Sequence, residues 1–295
     1  MTADSSAGVL PVDKPEGPTS HDVVAMARRA LKVRRIGHTG TLDPFASGLL
    51  LLCIGWATRI AEYLTGLPKT YVAVARLGVT TDTGDPTGTV TGESERWREL
   101  DADTIARAFR DQVGTFLQRP PRYSAKKVKG VPLHRLARRG EAAEAPPAEV
   151  TVYELDILEL DPPHVRFRVR CSAGTYVRAI ARDAGEALGT GAHLVSLRRT
   201  AIGPHDVDAA LPLSELTDPA ARARALLTPA AALQHLPGVD VDEAALRALG
   251  TGRAIPAPPG APGAGPVRVL HAGRLVAIAE PADGRLTPRK VFPHD

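Results

Sequence analysis

Apolar and charged side chains alternate strictly through residues 164–171. The apolar positions are Val165, Phe167, Val169 and Cys171, and three arginines fill the positions between them. A period of two predicts a strand with one buried face and one solvated face, as in an antiparallel sheet. Residues 70–79 alternate similarly, residues 8–20 are typical of a short strand followed by a turn, and residues 152–160 have strand composition. These patterns predict a mixed, mostly antiparallel sheet.

Three segments show the three-to-four-residue apolar spacing of an amphipathic helix. We expect Ser20 to cap the first, whose stripe consists of Val23, Met26, Ala27, Ala30 and Leu31. The second covers residues 101–113, and Gly114 follows its expected end. The third begins near Arg178 and ends at Gly189. Together with the sheet, they predict an α/β chain of the α+β type with flanking helices.

One carboxylate stands in an unusual local sequence. Asp43 precedes Pro44, glycines occupy positions 37, 40 and 48, and a long apolar run follows. Residues before proline are pushed out of the helical region, so we expect Asp43 on a turn. A carboxylate on a shaped turn beside an apolar wall is a candidate nucleophile. Asp-Pro is equally typical of a helix N-cap with proline at the first helical position.

Composition excludes several classes of protein. The chain has 295 residues, of which 43% are hydrophobic, enough for one or two domains. Its longest apolar stretch, residues 48–57, is too short to span a bilayer, and no signal-peptide pattern opens the chain. The two cysteines are isolated, which indicates neither a disulfide framework nor a zinc site. We expect a cytoplasmic protein without a membrane partner.

Positive charge is concentrated in one segment. The net charge is only +4, but residues 119–139 carry eight basic side chains and no acidic one. A patch of one sign is typical of a surface that binds a phosphate-rich partner, although a solvated loop is the alternative. A membrane-surface helix is disfavoured because Pro120, Pro121, Gly130 and Pro132 interrupt the segment. We interpret residues 118–145 as a mobile arm.

The composition changes beyond Thr228. A short helix over residues 242–249, a Pro/Gly/Ala loop over residues 256–266 and two strands, 267–270 and 275–278, are expected there. We therefore place one domain at residues 1–230 and a small second domain at residues 231–295. A tail that only packs against the first domain is the alternative.

Four sequence motifs together resemble those of one known family. In chain order they are Asp-Lys-Pro-x-Gly from residue 13, Gly-His-Thr-Gly-Thr-Leu-Asp-Pro-x-Ala-x-Gly-Leu-Leu from residue 37, Cys-Ser-x-Gly-Thr-Tyr-Val-Arg from residue 171 and His-Leu-x-x-Leu-Arg-Arg-Thr from residue 193. They resemble the TruB-type pseudouridine synthases, which isomerise uridine in RNA. The match covers residues 8–200. The resemblance implies that residues 118–145 form a basic thumb and, more weakly, that residues 231–295 form a PUA-like RNA-binding barrel.

The resemblance also implies an activity and its site. The expected reaction is isomerisation of the T-loop uridine of tRNA, position 55, after base flipping. It implies Asp43 as nucleophile, Arg178 as its ionic partner and Tyr71 stacked on the uracil, with its hydroxyl near C5. The other substrate-binding residues implied are His38, Tyr176, Leu197 and Lys14. We expect the phosphate-binding residues of the thumb to be Arg122, Lys126, Lys127 and Lys129. No second carboxylate stands out near Asp43, as a glycosidase would require.

Neither a dinucleotide loop nor a phosphate loop is present, and the isomerisation has no net redox step, so we expect no cofactor and no metal. The expected partner is the T-arm stem-loop of tRNA, bound by a monomer without an obligate protein partner. Three alternatives stay open: a guide-RNA-dependent enzyme of the dyskerin kind, a non-catalytic RNA-binding or RNA-folding protein, and a small-molecule hydrolase.

Overall fold

A computed structural model describes residues 7–121, 123, 126–128, 131–133 and 145–293. The α-helices of these residues are α1 (Ser20–Leu31), α2 (Ala61–Thr65), α3 (Ala102–Arg110), α4 (Val177–Ala187), α5 (Pro219–Ala225), α6 (Pro229–Ala232) and α7 (Glu243–Gly250). Short 3-10 helices occupy Gly55–Ile60, Arg96–Glu99, Val207–Ala209 and Leu213–Glu215. No helix in the described ranges is long and apolar enough to cross a membrane.

The strands outnumber the helices and fall into four sheets. The first seven are β1 (Gly8–Lys14), β2 (Ile36–His38), β3 (Ser47–Ile54), β4 (Lys69–Leu77), β5 (Val79–Thr81), β6 (Val90–Glu93) and β7 (Gly114–Gln118). The next seven are β8 (Lys127–Val128), β9 (Val131–Pro132), β10 (Ala148–Asp161), β11 (His164–Cys171), β12 (Ala192–Ile202), β13 (His205–Asp206) and β14 (Leu211–Pro212). The last five are β15 (Gly238–Asp240), β16 (Ile255–Pro256), β17 (Val267–His271), β18 (Arg274–Ala282) and β19 (Arg285–Val291).

The largest sheet has ten strands in the order β14-β1-β3-β12-β4-β11-β10-β7, with β2 and β13 paired at the side. Only the β1–β14 and β3–β12 pairs are parallel. The prediction of a mixed, mostly antiparallel sheet is therefore confirmed. On β11, apolar side chains are buried and arginines are exposed in strict alternation, as the sequence predicted.

Strand β3 is buried on both faces, which explains its continuous apolar sequence. Leu50 and Leu52 pack against α1 and β1 on one side. Leu49 and Leu51 pack on the other side, in a cluster that also contains residues of the C-terminal sheet. Each fully buried leucine contributes roughly 1.5–3 kcal/mol to the free energy of unfolding. The strand that follows Asp43 is thus anchored in the core on both of its faces.

Helices α3 and α4 cover one face of the other half of the sheet. Phe109 of α3 contacts Phe167 of β11 at a ring-centroid distance of 5.2 Å, within a cluster that extends to Ile180 of α4. Helix α3 begins later and ends earlier than expected: Asp101 is its N-cap and Arg110 its last residue. Gly114, expected just after the helix, instead begins β7 with a φ of +125°.

The C-terminal strands form a five-stranded half-barrel in the order β15-β17-β18-β19-β16. It packs onto the 3-10 helix that follows β3 through stacked rings of Trp56 and Phe292, whose centroids are 4.7 Å apart. Arg59 adds a hydrogen bond of 2.7 Å to the carbonyl of Val291 and lies over the Phe292 ring. Lys290 pairs with Glu62 of α2.

Gly48 is required by the close approach of β3 and β12. Its φ is +107°, and a Cβ there would lie 2.2 Å from the carbonyl oxygen of Arg199. We expect Gly48→Ala to lower the free energy of unfolding by more than about 2 kcal/mol, because left-handed strain and a backbone clash add. Urea denaturation measures this.

Gly37→Ala is the matched control. A Cβ at Gly37 would meet only Thr58 Cγ2, at 4.0 Å. We expect a change within about 0.5 kcal/mol there. Equal losses in the two variants would show that the close approach at Gly48 does not constrain the fold.

Candidate active site

Asp43 lies on a tight turn between β2 and β3. The chain turns at Pro44 and Phe45, and the amide of Ala46 donates to the Asp43 carbonyl at 3.1 Å. A strand and no helix follows, so the helix-cap interpretation is wrong. The amide of Gly17 donates to the Pro44 carbonyl at 2.8 Å, which fastens the turn to the segment after β1.

Ser20 holds the residue before Asp43. Its hydroxyl accepts from the amide of Leu42 at 2.9 Å and donates to the Leu42 carbonyl at 3.2 Å. The prediction that Ser20 caps α1 is wrong: Thr19 is the N-cap and forms a capping box with Asp22. Because Thr19 accepts from the Asp22 amide at the start of the helix, the Ser20 hydroxyl is available to hold the Asp43 turn.

Arg178 reaches Asp43 from the first turn of α4. Its Nε lies 2.9 Å from Asp43 Oδ2, and its side chain is only 4% exposed. The two remaining nitrogens donate to main-chain carbonyls, Nη1 to Thr83 at 2.6 Å and Nη2 to Tyr123 at 2.8 Å. A guanidinium bound on all its nitrogens has one orientation, so it fixes the direction of the Asp43 carboxylate.

A second carboxylate, Asp85, contacts the same guanidinium. Its Oδ2 lies 3.5 Å from Arg178 Nη1. Its Oδ1 accepts from the hydroxyls of Thr83 and Thr87, at 2.8 and 2.6 Å, and from the Thr87 amide. The expectation that no second carboxylate stands near Asp43 is therefore wrong. Threonines on both sides of Asp85 were the local sequence signal for a buried acceptor.

The Asp43 side chain is 33% exposed, so it faces solvent at one edge while its other neighbours enclose it. Burial raises the pKa of Asp43, and the negative charge of Asp85 acts in the same direction. Arg178, by charge and by hydrogen bond, and Lys14, by charge, lower that pKa. These two cations favour the ionised carboxylate.

Lys14, the last residue of β1, is fully buried. Its Nζ donates to the carbonyls of Pro15 and Pro18, both at 2.9 Å. Burial lowers the pKa of Lys14 to about 8, against the attraction of Asp43. The lysine thereby shapes the segment after β1 that supports the Asp43 turn.

Tyr71 and Leu197 form the apolar wall next to the turn. Tyr71 lies on β4 and Leu197 on the adjacent β12, and both belong to the cluster that contains Leu42 and Phe45. Tyr71 is buried, and this burial raises the pKa of its hydroxyl.

Tyr176 precedes α4 and is half-buried. Its amide donates to Gln118 Oε1 at 2.8 Å, and Gln118 Nε2 donates back to the Tyr176 carbonyl at 3.1 Å. Gln118 was expected at the start of the mobile arm, but it is the buried last residue of β7. Sequence reasoning missed this amide, which fixes the entry to the helix that carries Arg178.

His38 ends β2, two residues before Gly40. Its Nδ1 accepts from the Gly40 amide at 3.3 Å, and its ring meets that of His21 edge to face, at 5.3 Å between centroids. Burial lowers the pKa of His38 to about 4. A neutral imidazole therefore stands at the start of the catalytic loop at physiological pH.

Much of the predicted thumb lies outside the described residues, including Arg122 and Lys129. The backbone of Lys127 lies on β8, and Lys126 Nζ donates to the carbonyl of Pro146 at 3.3 Å. Near this segment a cavity of about 850 Å³ is bordered by three arginines, Arg119, Arg178 and Arg182, and by three carboxylates, Asp82, Asp183 and Glu186. Arg182 pairs with Asp183 and Glu186, so the charges around the cavity are mixed.

Family models match nearly the whole chain. The TruB family pseudouridylate synthase (N terminal domain) model matches residues 28–177. The tRNA pseudouridylate synthase B C-terminal domain model matches residues 178–236, and the Pseudouridine synthase II TruB, C-terminal model matches residues 237–292. The chain belongs to the TruB family of pseudouridylate synthases.

Two similar curated proteins carry the same name. The tRNA pseudouridine synthase B of Solibacter usitatus is 44% identical over 92% of this chain and 95% of its own length. The protein of the same name from Thiobacillus denitrificans is 45% identical over 97% of this chain and 95% of its own.

Solved structures agree with the fold. An H/ACA RNP bound to a substrate RNA containing 2'-deoxyuridine has a chain with a TM-score of 0.76 and 27% identity, covering 97% of this chain and 85% of that chain. A Cbf5-Nop10-Gar1 complex gives a TM-score of 0.75 at 29% identity, with the same coverage.

Replacement of Arg178 by methionine isolates its effect on Asp43. We expect Arg178→Met to raise the pKa of Asp43. Burial and the charge of Asp85 both raise that pKa, and the guanidinium would no longer lower it. Carboxyl-carbon NMR titration measures this. Arg182→Met, on the same helix and paired with Asp183, is the control. An unchanged Asp43 pKa in Arg178→Met would contradict the assigned ion pair.

Proposed function

We propose that this protein isomerises uridine to pseudouridine in the T-loop of tRNA, at position 55. The observation that carries the proposal is the Asp43–Arg178 ion pair within a chain of the TruB family. The names of the curated relatives support tRNA as the substrate class.

The reaction breaks the bond between ribose C1′ and uracil N1, turns the base and joins C1′ to C5. The proton on C5 is lost and N1 gains one, so the product is an isomer of the substrate. Asp43 provides the ionised carboxylate next to the ribose, either as nucleophile at C1′ or as base for a ribose proton. Arg178 keeps it charged and oriented.

The apolar wall receives the flipped base. Extrusion of a nucleotide costs a few kcal/mol, and stacking on an aromatic face offsets roughly 1–3 kcal/mol of that cost. Tyr71 stacks on the uracil with its hydroxyl near C5, while Tyr176 and the backbone of Leu197 line the same pocket. His38 occupies the space that the nucleotide leaves, and Lys14 supports the loop from below.

The partner is the T-arm stem-loop of tRNA, bound by a monomer in the cytoplasm without an obligate protein partner. We assign phosphate binding to the basic thumb segment within residues 118–145. We assign residues 231–295, which include the half-barrel, to a PUA-like RNA-binding domain attached to the catalytic domain of residues 1–230. Curated relatives at about 44% identity are named as tRNA enzymes, which favours action without a guide RNA.

Asp43→Asn tests the catalytic role. We expect pseudouridine formation in a purified T-arm stem-loop to be abolished, while RNA affinity stays within about severalfold, because amide and carboxylate have the same shape. Asp156→Asn, at an exposed pair with Arg168, is the control and keeps full activity. Turnover by Asp43→Asn would refute the assignment, and an inactive wild type would refute stand-alone action on this RNA.

Reversal of charge at Lys126, Lys127 and Lys129 tests the thumb. We expect the triple Lys→Glu variant to bind tRNA more weakly, with a shallower dependence of affinity on salt, because each lost phosphate contact lowers the salt slope by about 0.7–0.9. Filter binding from low to high salt measures both quantities. The triple Lys→Gln variant should weaken binding less, since it adds no repulsion. A slope equal to that of the wild type would show that these lysines do not contact phosphates.

A further inference from the structure

Arg199 is the largest side chain that the fold buries completely, with 1% of its surface exposed. A buried arginine is ordinarily paired with a carboxylate. Among the described residues, no carboxylate lies within ion-pair distance of Arg199, in contrast to Arg178. An unpaired buried cation is costly, so its position calls for a physical reason.

The guanidinium donates its hydrogen bonds to main-chain carbonyls on both sides of Asp43. Nε donates to the carbonyl of Leu49 at 2.7 Å, Nη2 to that of Gly40 at 3.1 Å and Nη1 to that of Thr41 at 3.5 Å. Gly40 and Thr41 precede Asp43, and Leu49 follows it. One side chain therefore ties together both ends of the loop that presents the carboxylate.

Arg199 also lies beside Tyr71. The two residues are direct partners across the β12–β4 ladder. Three groups on other elements act electrostatically on the Tyr71 hydroxyl: Arg199 of β12, Cys171 of β11 and Asp43 of its loop. The guanidinium of Arg199 lowers the pKa of Tyr71 by charge and by hydrogen bonding, whereas burial, Cys171 and Asp43 raise it.

Arg199 also lowers the pKa values of the other basic groups nearby. Arg199 contributes to the lowered pKa values of Lys14 and Lys69, both about 8, and of His38, about 4, each with burial as the larger cause. An arginine stays protonated at any accessible pH, so Arg199, like Arg178, carries a permanent positive charge in the site.

We propose that Arg199 is a positioning residue that couples the two halves of the site: it holds the Asp43 loop and orients the Tyr71 hydroxyl for proton removal from C5 of the uracil. The C5–H bond breaks and its electron pair returns to the ring, while the Tyr71 oxygen accepts the C5 proton and passes its own hydroxyl proton to the Asp43 carboxylate. This inference rests on the proposed function and deepens it. Fixed donors and charges of this kind act without reorganisation during the reaction.

The test compares Arg199→Lys and Arg199→Met with Arg198→Lys and Arg198→Met. Arg198 is the next residue of β12 and forms a two-pronged pair with Asp13, so it is a matched control. The first readout needs no RNA: the NMR resonance of the Tyr71 Cζ carbon, assigned with Tyr71→Phe. We expect it to move in both Arg199 variants, and more in the methionine variant. An unmoved resonance would overturn the proposal, whatever the activity.

The second readout is single-turnover conversion of T-arm RNA carrying protium or deuterium at C5 of the target uridine. We expect Arg199→Lys to be at least about tenfold slower, with RNA affinity unchanged and a larger deuterium effect than the wild type, because proton removal becomes limiting. In a Tyr71→Phe background the same change should cost much less. Equal losses in both backgrounds, or an unchanged deuterium effect, would show a merely structural role.

Wild-type turnover separates the two proposals. If the wild type does not modify the RNA, the proposed function fails, and the Cζ resonance still decides whether Arg199 orients Tyr71. If the wild type is active and the Arg199 variants match the Arg198 variants, only the inference about Arg199 fails. Urea denaturation of each variant identifies losses that come from unfolding, and Arg199→Lys keeps the charge if Arg199→Met does not fold.

Discussion

The ion pair between Asp43 and Arg178 is the interaction on which the site depends. A carboxylate enclosed by the protein tends to take up a proton unless a cation lies against it. Arg178 meets this need and is itself held by the carbonyls of Thr83 and Tyr123 and by Asp85. Four segments that are distant in sequence must therefore come together before Asp43 has both its charge and its direction.

The large sheet gives those segments fixed positions. Strand β3 is buried on both faces and starts directly after the Asp43 turn. Strand β12 runs beside β3 and β4 and carries Leu197 and Arg199. Helix α4 packs onto the same sheet with Arg178 in its first turn, and the Gln118 amide pairs with the main chain just before it. Rigid neighbours therefore set the geometry of the Asp43 loop.

Local sequence patterns predicted the structure correctly where a residue type has one dominant conformational effect. Alternation defined β11 to the residue, and Pro44 placed Asp43 on a turn. The motif from residue 171 drew attention to Arg178, which the structure brings to Asp43. Its role, like those of Tyr71 and His38, is still a prediction.

The wrong expectations and the overlooked residues have a common cause. Thr19 and Ser20 are equally good caps in sequence, and only the distant Leu42 shows which hydroxyl is needed elsewhere. Asp85 and Arg199 have partners far away along the chain, such as Arg178 for the first and Leu49 for the second. Contacts of this kind depend on how the elements pack, which no local pattern contains.

The stacked rings of Trp56 and Phe292 have a consequence for how substrates are selected. They fix the half-barrel to the 3-10 helix that follows β3, and Arg59 reinforces the junction. A ligand long enough to touch both the half-barrel and the Asp43 crevice meets two surfaces that lie at a fixed distance from each other. If the half-barrel binds RNA as proposed, only an RNA whose length and bend match this distance would engage both surfaces together.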